Sequence, residues 1–159
     1  MEAPETSEIE RLRKRALRIL GSRRLSSQEM EKRLVAKGET PEAARETVKW
    51  MEDIGVVDDV DYASAIVRHY SGKGYGTARI RDELFKRGIP RDLWDDALSG
   101  SDDPLEAACE FLEKKLRGSN DKDDLRRAAD ALCRRGFSYE DARRAVKAYL
   151  ENGKWKMEN

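Results

Sequence analysis

Lys73, Tyr75, Arg79 and Arg81 stand within nine residues, about a glycine-rich turn and the helix that follows it. Three cations and an aromatic ring beside a helix N-terminus suit one kind of chemistry: the non-covalent holding of phosphate, or of an acidic protein rim. Two further basic pairs, Lys86-Arg87 and Arg134-Arg135, each directly precede a glycine, and Arg143-Arg144 follow in the last helix. Cations near a helix C-terminus also offset its negative end, so the pairs have a structural reading beside the binding one.

Covalent chemistry finds no such constellation. His69 is the only histidine and lies late in a helix between Arg68 and Tyr70. Carboxylates are plentiful, but they sit at helix starts and on solvated faces, where capping accounts for them. Asp58-Asp59 resembles half of a metal site, yet no second acidic or histidine cluster is tied to it by spacing. Gly72-Lys73-Gly74-Tyr75-Gly76 is not a phosphate loop of the GxxxxGK type: the order differs, and the preceding element is a helix. A hinge is its plainer reading. Cys109 and Cys133 fall inside helices, as small core residues do, and there is no CxxC. The expectation is a protein without catalytic residues, cofactor or metal.

Composition narrows the architecture. Of 159 residues, 38% are hydrophobic and 40% charged. A compact globule usually carries about 45–50% apolar and about 25% charged residues. Thin helical units with much surface fit this balance better. Disorder is the competing explanation, and the periodic apolar residues and well-placed caps speak against it. Net charge is zero, and no third of the chain departs from balance by more than one charge. A dedicated duplex binder usually carries a basic excess. No apolar run reaches the roughly 18 residues needed to span a membrane, and the acidic N-terminus is unlike a signal peptide. A monomer in a reducing cytoplasm is the default expectation.

The elements that position the cations repeat. Leu34-Val35-Ala36-Lys37-Gly38, Leu84-Phe85-Lys86-Arg87-Gly88 and Leu132-Cys133-Arg134-Arg135-Gly136 share the phrase leucine, three residues, glycine, with the glycines 50 and 48 positions apart. Each phrase ends a short helix, as glycine at a helix stop does. A first helix from Ser7 carries Ile9, Leu12, Ala16, Ile19 and Leu20 at helical spacing, opposite Arg11, Arg13, Lys14, Arg15 and Arg18. Ser26-Ser27-Gln28-Glu29 is a capping box. Thr40-Pro41 caps the next helix, whose expected buried edge is Ala44, Val48, Met51 and Ile54. Asp58-Asp59, Ile89-Pro90, Asp103-Pro104 and Ser138-Tyr139 open later helices.

The fold expected is all-α: an elongated tandem array of three three-helix, helix-turn-helix-like units. The boundaries are a tail at 1–6, units at 7–57, 58–100 and 101–151, and a tail at 152–159. Each unit has too small a core to stand safely alone, so neighbours should support one another.

These phrases resemble the RecX family of recombination regulators. Arg24 to Met30 with Leu34 and Gly38 is similar to the family's first block. Met51 to Ala63, with Ile54-Gly55 and Asp58-Asp59, is similar to its second. Gly76 through Gly88-Ile89 is similar to its third, and Arg135-Gly136-Phe137-Ser138-Tyr139-Glu140 to its last. The resemblance covers about residues 16–150. It implies a protein that binds RecA filaments on DNA and restrains their ATPase, strand exchange and coprotease activities, in recombination, repair and SOS control. Some members also bind DNA, which implies a weak contact with single- or double-stranded DNA. The candidate contacts are Lys73, Tyr75, Arg79, Arg81, Lys86, Arg87, Arg134, Arg135, Arg143 and Arg144. They are chosen by charge and placement; the resemblance does not single them out.

Two other readings stand beside this one. A helix-turn-helix-like nucleic-acid binder would use the helix after Thr40 for recognition, but Glu42, Glu46 and Glu52 there oppose phosphates. A generic helical-repeat adaptor would leave recombination filaments untouched.

Overall fold

The structure, a computed structural model, describes the backbone of residues 2–101 and 103–158, and the side chains of residues 6–101 and 103–153. Among the described residues it is all-helical. The elements are α1 (Glu2–Leu20), α2 (Ser27–Ala36), α3 (Pro41–Asp53), α4 (Asp59–Gly72), α5 (Thr77–Lys86), α6 (Trp94–Ser99), α7 (Pro104–Leu116), α8 (Lys122–Arg134) and α9 (Tyr139–Glu158).

The caps read from the sequence form. The Glu29 backbone N–H donates to Ser26 Oγ at 3.1 Å, and the Ser26 N–H donates to the Glu29 carboxylate at 3.0 Å. Thr40 accepts from the Ala43 N–H at 3.1 Å, Asp58 from Asp61 at 3.0 Å, and Ser138 from Asp141 at 3.0 Å. The recurring leucine–glycine phrase is a helix stop. In α2 the Glu39 N–H reaches back to the Leu34 carbonyl and the Gly38 N–H to Val35; in α8 Phe137 bonds to Leu132 and Gly136 to Cys133. These are the two bonds of a Schellman ending, which needs a left-handed residue at the glycine position. Gly38, Gly88 and Gly136 have φ of +104°, +71° and +97°. The residue after the second and third of these glycines, Ile89 and Phe137, is 4% exposed in each case and anchors the turn in the core.

Several elements differ from expectation. α1 begins at Glu2, so residues 2–6 are helical and not a tail; Pro4 lies in the first turn, where no backbone N–H is required. α9 runs to Glu158 through Gly153, because one glycine costs a helix only about 1 kcal/mol. The helix expected after Pro90 is a 3-10 turn, Arg91–Leu93, followed by the short α6. Ile54 is 48% exposed because it caps α3, and Val57, at 2%, takes the buried place. Ile9 is likewise half exposed, at 50%.

Contacts divide the chain into two compact units, so the expected middle segment is shared between them. One unit holds the chain up to Ala63 together with Phe85–Leu93. Its core packs Leu12, Ala16 and Leu20 of α1 against Met30 and Leu34 of α2 and Ala44, Val48 and Met51 of α3. The end of α5 docks on the start of α2: Ser26 Oγ donates to the Arg87 carbonyl, and Gly88 lies against the Gln28 side chain.

The other unit holds Ser64–Leu84 and the chain from Trp94 onward. Its core joins Ala108, Leu112 and Leu116 of α7 to Ala128 and Leu132 of α8, Phe137, and Ala142 and Ala145 of α9. Here the end of α8 docks on the start of α5 in the same manner. The Gly76 N–H donates to the Arg135 carbonyl at 2.9 Å, and the Ala78 N–H to the Gly136 carbonyl at 3.0 Å. No side chain fits between these backbones: a Cβ on Gly76 would fall 2.4 Å from the Gly136 carbonyl carbon, and one on Gly136 would fall 2.5 Å from the Arg79 nitrogen.

That closeness predicts a contrast between two glycines four residues apart. Gly76→Ala should cost at least about 2 kcal/mol in urea unfolding, since backbone cannot step aside as a side chain can. Gly72→Ala, with open space around its Cβ, should be neutral or slightly stabilising.

Candidate functional site

The structure separates the ten candidate residues into those turned inward and those left facing solvent. Tyr75, Arg79 and Arg135 meet at the α5–α8 joint. The Arg135 guanidinium lies 4.5 Å from the Tyr75 ring centre and 5.2 Å from that of Phe111. Its Nε donates to the Gly74 carbonyl at 3.2 Å, and a terminal nitrogen to the Lys73 carbonyl at 2.9 Å. The Arg79 guanidinium lies 5.0 Å from the Tyr75 ring centre, and its Nε is 3.3 Å from Glu83 Oε1. Both guanidiniums thus use the one electron-rich ring. Arg87 plays a corresponding part in the other unit, donating to the Tyr62 hydroxyl at 2.9 Å.

Lys73, Arg81, Lys86, Arg134, Arg143 and Arg144 are exposed. Arg81 keeps a 3.8 Å ion pair with the exposed Asp95, and Arg144 a 3.7 Å pair with Asp141 one turn away. Such pairs are worth little in water and release readily. Lys73 opens onto a surface cavity of about 560 Å³, whose rim adds Lys114, Lys115, Glu106 and Glu110 around Phe111.

Sequence reasoning missed two exposed aromatic residues. Phe85 is 75% exposed on α5, and Tyr139 is 77% exposed at the start of α9. The signal for Phe85 was its place: one residue past the buried Leu84, it falls off the Ile80–Leu84 stripe. It missed Lys114 and Lys115 as well, because only the fold brings α7 beside the α4–α5 turn. Cys133, expected in the core, is exposed, while Cys109 is half-buried and burial raises its thiol above the ordinary range. The exposed His69 stacks edge-on against Tyr70, with ring centres 5.0 Å apart.

The remaining charge feature is acidic. A concavity of about 520 Å³ in the first unit is lined by Glu52, Asp58, Asp59, Asp92 and apolar Val57, Val60 and Leu93. Asp59 is engaged by Ser27, whose N–H donates to its carboxylate at 2.8 Å and whose hydroxyl also reaches it. The Glu52 carboxyl is pushed above its ordinary value, first by burial and then by the charges of Asp59, Asp53 and Glu31. Among the described residues no group of three ligating side chains could hold a metal ion.

Residues 58–98 match the family description "RecX, second three-helix domain", and residues 101–146 match "RecX, third three-helix domain". The chain is similar to the regulatory protein RecX of Xanthomonas citri, with 36% identity over 141 residues and 87% of each chain covered. It is 32% identical to the regulatory protein RecX of Stenotrophomonas maltophilia over 136 residues, covering 84% of this chain and 83% of that one. Among solved structures, RecX from Lactobacillus salivarius matches with a TM-score of 0.82 over 91% of this chain and 97% of that one. At 21% identity this shows a shared fold.

Two outcomes follow from the geometry. Arg135→Ala should lower stability by about 1–3 kcal/mol in chemical unfolding, because two carbonyls lose a charged donor. Arg135→Lys should recover only part of that, and Arg134→Ala should stay within about 0.5 kcal/mol of the parent. Glu52 sets a pH dependence. Its folded value lies above the ordinary 4.5, so the folded state holds the proton more tightly, and ionisation weakens the fold. The penalty is absent in acid and complete once pH exceeds the raised value. Glu52→Gln should therefore raise the melting temperature near neutral pH, and the gain should vanish below about pH 4.

Proposed function

The chain belongs to the RecX family of regulatory proteins, and from that premise we propose that it binds RecA filaments on DNA and inhibits their ATPase, strand exchange and coprotease activities. The observation that carries the reading is the family match over 87% of the chain. The repeated helix stop adds to it, since it sets an exposed cation two residues past the buried leucine in the second and third domains, Lys86 and Arg134, and three residues past it in the first, Lys37.

The proposed mechanism is non-covalent. Three tandem three-helix domains, α1–α3, α4–α6 and α7–α9, each contact the filament weakly. Linked contacts add through high effective concentration. A protein that touches neighbouring protomers restrains the changes that nucleotide turnover requires, and shifts the filament only as far as it prefers one state over another. Lys73, Arg81, Lys86, Arg134, Arg143 and Arg144 are the contacts proposed. Tyr75, Arg79, Arg87 and Arg135 act through the joints they hold. The protein is proposed to act as a monomer in the cytoplasm.

One observation favours an additional weak contact with DNA. Residues 7–24 hold seven cations against two carboxylates. Several of these cations are engaged: Arg11 and Arg15 with Glu39, Arg13 over Trp50 and Arg24 with Asp61. Lys14, Arg18 and Arg23 are exposed, and so few cations give a shallow salt dependence for bare DNA.

The test assembles RecA on single-stranded DNA with ATP, adds this protein below stoichiometry, and follows hydrolysis and filament length. Inhibition is expected, and unchanged turnover at saturating protein would overturn the reading. Arg81→Glu combined with Arg134→Glu should raise the concentration needed for half-inhibition by about tenfold while leaving the fold intact. Undiminished inhibition would show that these two side chains lie outside the interface.

A further inference from the structure

α5 buries Ile80, Glu83 and Leu84 on one side. Its other side, Ala78, Arg81, Asp82, Phe85 and Lys86, is exposed. Phe85 stands out on that face at 75% exposure. The fold has no use for a ring there: Leu84 closes the apolar stripe, and a polar residue would suit the helix equally well.

A lone exposed apolar residue needs no explanation, but this one recurs by register. In each helix-stop phrase, the residue after the buried leucine points outward and is not charged: Val35 is 42% exposed, Phe85 75%, and Cys133 is exposed. Each is followed, one or two residues on, by an exposed cation, respectively Lys37, Lys86 and Arg134. Three copies of one helix therefore present a small apolar knob beside positive charge, and α5 carries the largest.

The charges about the knob indicate what covers it. Arg81 lies one turn earlier on the same helix, with an ion pair of only 3.8 Å to Asp95, and Lys86 is the next residue. Asp82 sits on the same face between them in sequence. A phosphate backbone would meet that carboxylate unfavourably, and the chain as a whole has no excess of cations. A protein surface can place an apolar socket over the ring and carboxylates on the rim opposite Arg81 and Lys86.

We propose that Phe85 is the anchor by which α5 docks into an apolar, acid-rimmed socket on a protein partner, with Arg81 and Lys86 pairing at the rim. The proposal rests on the filament reading above: the partner is the protein lattice of the filament and not its DNA. Aromatic anchors of this kind dominate protein interfaces because a large rigid surface is buried with little loss of side-chain freedom.

The experiment compares the full chain with Phe85→Ala and Phe85→Leu in co-sedimentation with RecA filaments on single-stranded DNA, and separately with bare single-stranded DNA, monitoring each variant's melting temperature. Phe85→Ala should weaken filament retention by about tenfold or more, as loss of a central anchor does. Phe85→Leu should stay within about threefold, because a socket accepts aliphatic bulk. Filament retention unchanged in Phe85→Ala, with the wild type binding, overturns this proposal and leaves the filament reading standing. No retention of the wild type overturns both. An equal loss on bare DNA, with Phe85→Leu as weak as Phe85→Ala, overturns the protein socket in favour of base stacking. Should Phe85→Ala melt lower than its parent, Lys86→Glu serves in its place: about tenfold weaker retention, lost selectively at low salt, supports the socket, and none overturns it.

Discussion

The first N–H groups and last carbonyls of any helix have no partner within that helix. In this protein the two kinds of orphan meet. The first donors of α5, at Gly76 and Ala78, are taken up by carbonyls of the turn that ends α8, at Arg135 and Gly136. In the other unit the Arg87 carbonyl at the end of α5 receives the hydroxyl of Ser26, the residue that also caps α2. A helix end set on a helix start satisfies polar groups that burial would otherwise leave costly. It also demands backbone-to-backbone approach, and only glycine allows that at Gly76 and Gly136. In its second and third copies the leucine–glycine phrase is thus a helix stop and a docking surface at once.

The joints account for the division of labour among the cations. Arg135 holds two carbonyls of the α4–α5 turn and covers Tyr75 and Phe111, so its charge is spent inside the unit. Arg87 is held by Tyr62. A guanidinium suits such places because its flat face stacks while its edge donates. The neighbours Lys86 and Arg134 face solvent. One residue along a helix end is a rotation of about 100°, enough to separate a joint residue from a surface residue.

A protein with equal numbers of cations and carboxylates is poorly equipped for tight polyelectrolyte binding. It suits many small contacts distributed along one chain. Knob, cation and stop recur together in each copy of the helix, and the proposed mechanism uses that recurrence to meet a surface repeated along a polymer more than once. In that arrangement affinity comes from linkage, and the loss of a single cation is expected to matter less than the loss of the joint that orients several of them.

Much of this was legible before any coordinate. Caps such as Ser26-Glu29 and Thr40-Pro41, the stripes of Leu12–Ala16 and Ile80–Leu84, and the recurring glycine stops are local signals, set by bonds and contacts three or four residues apart, and they specify helices wherever the chain goes. Family membership rests on the same phrases. What a side chain faces is not local. Arg135 and Arg134 are alike in the sequence, and only the position of the α4–α5 turn made one an internal clamp and left the other in solvent. Phe85 reads as ordinary apolar content until the burial of Leu84 shows which side of α5 is closed, and Cys133 likewise reads as core until α8 is packed. The sequence determined the helices, their ends and their repetition, because neighbouring residues are enough to form them. The tertiary structure alone decided which charges and rings remain for a partner, because that depends on groups brought in from some sixty residues away, as Arg135 is to Gly74.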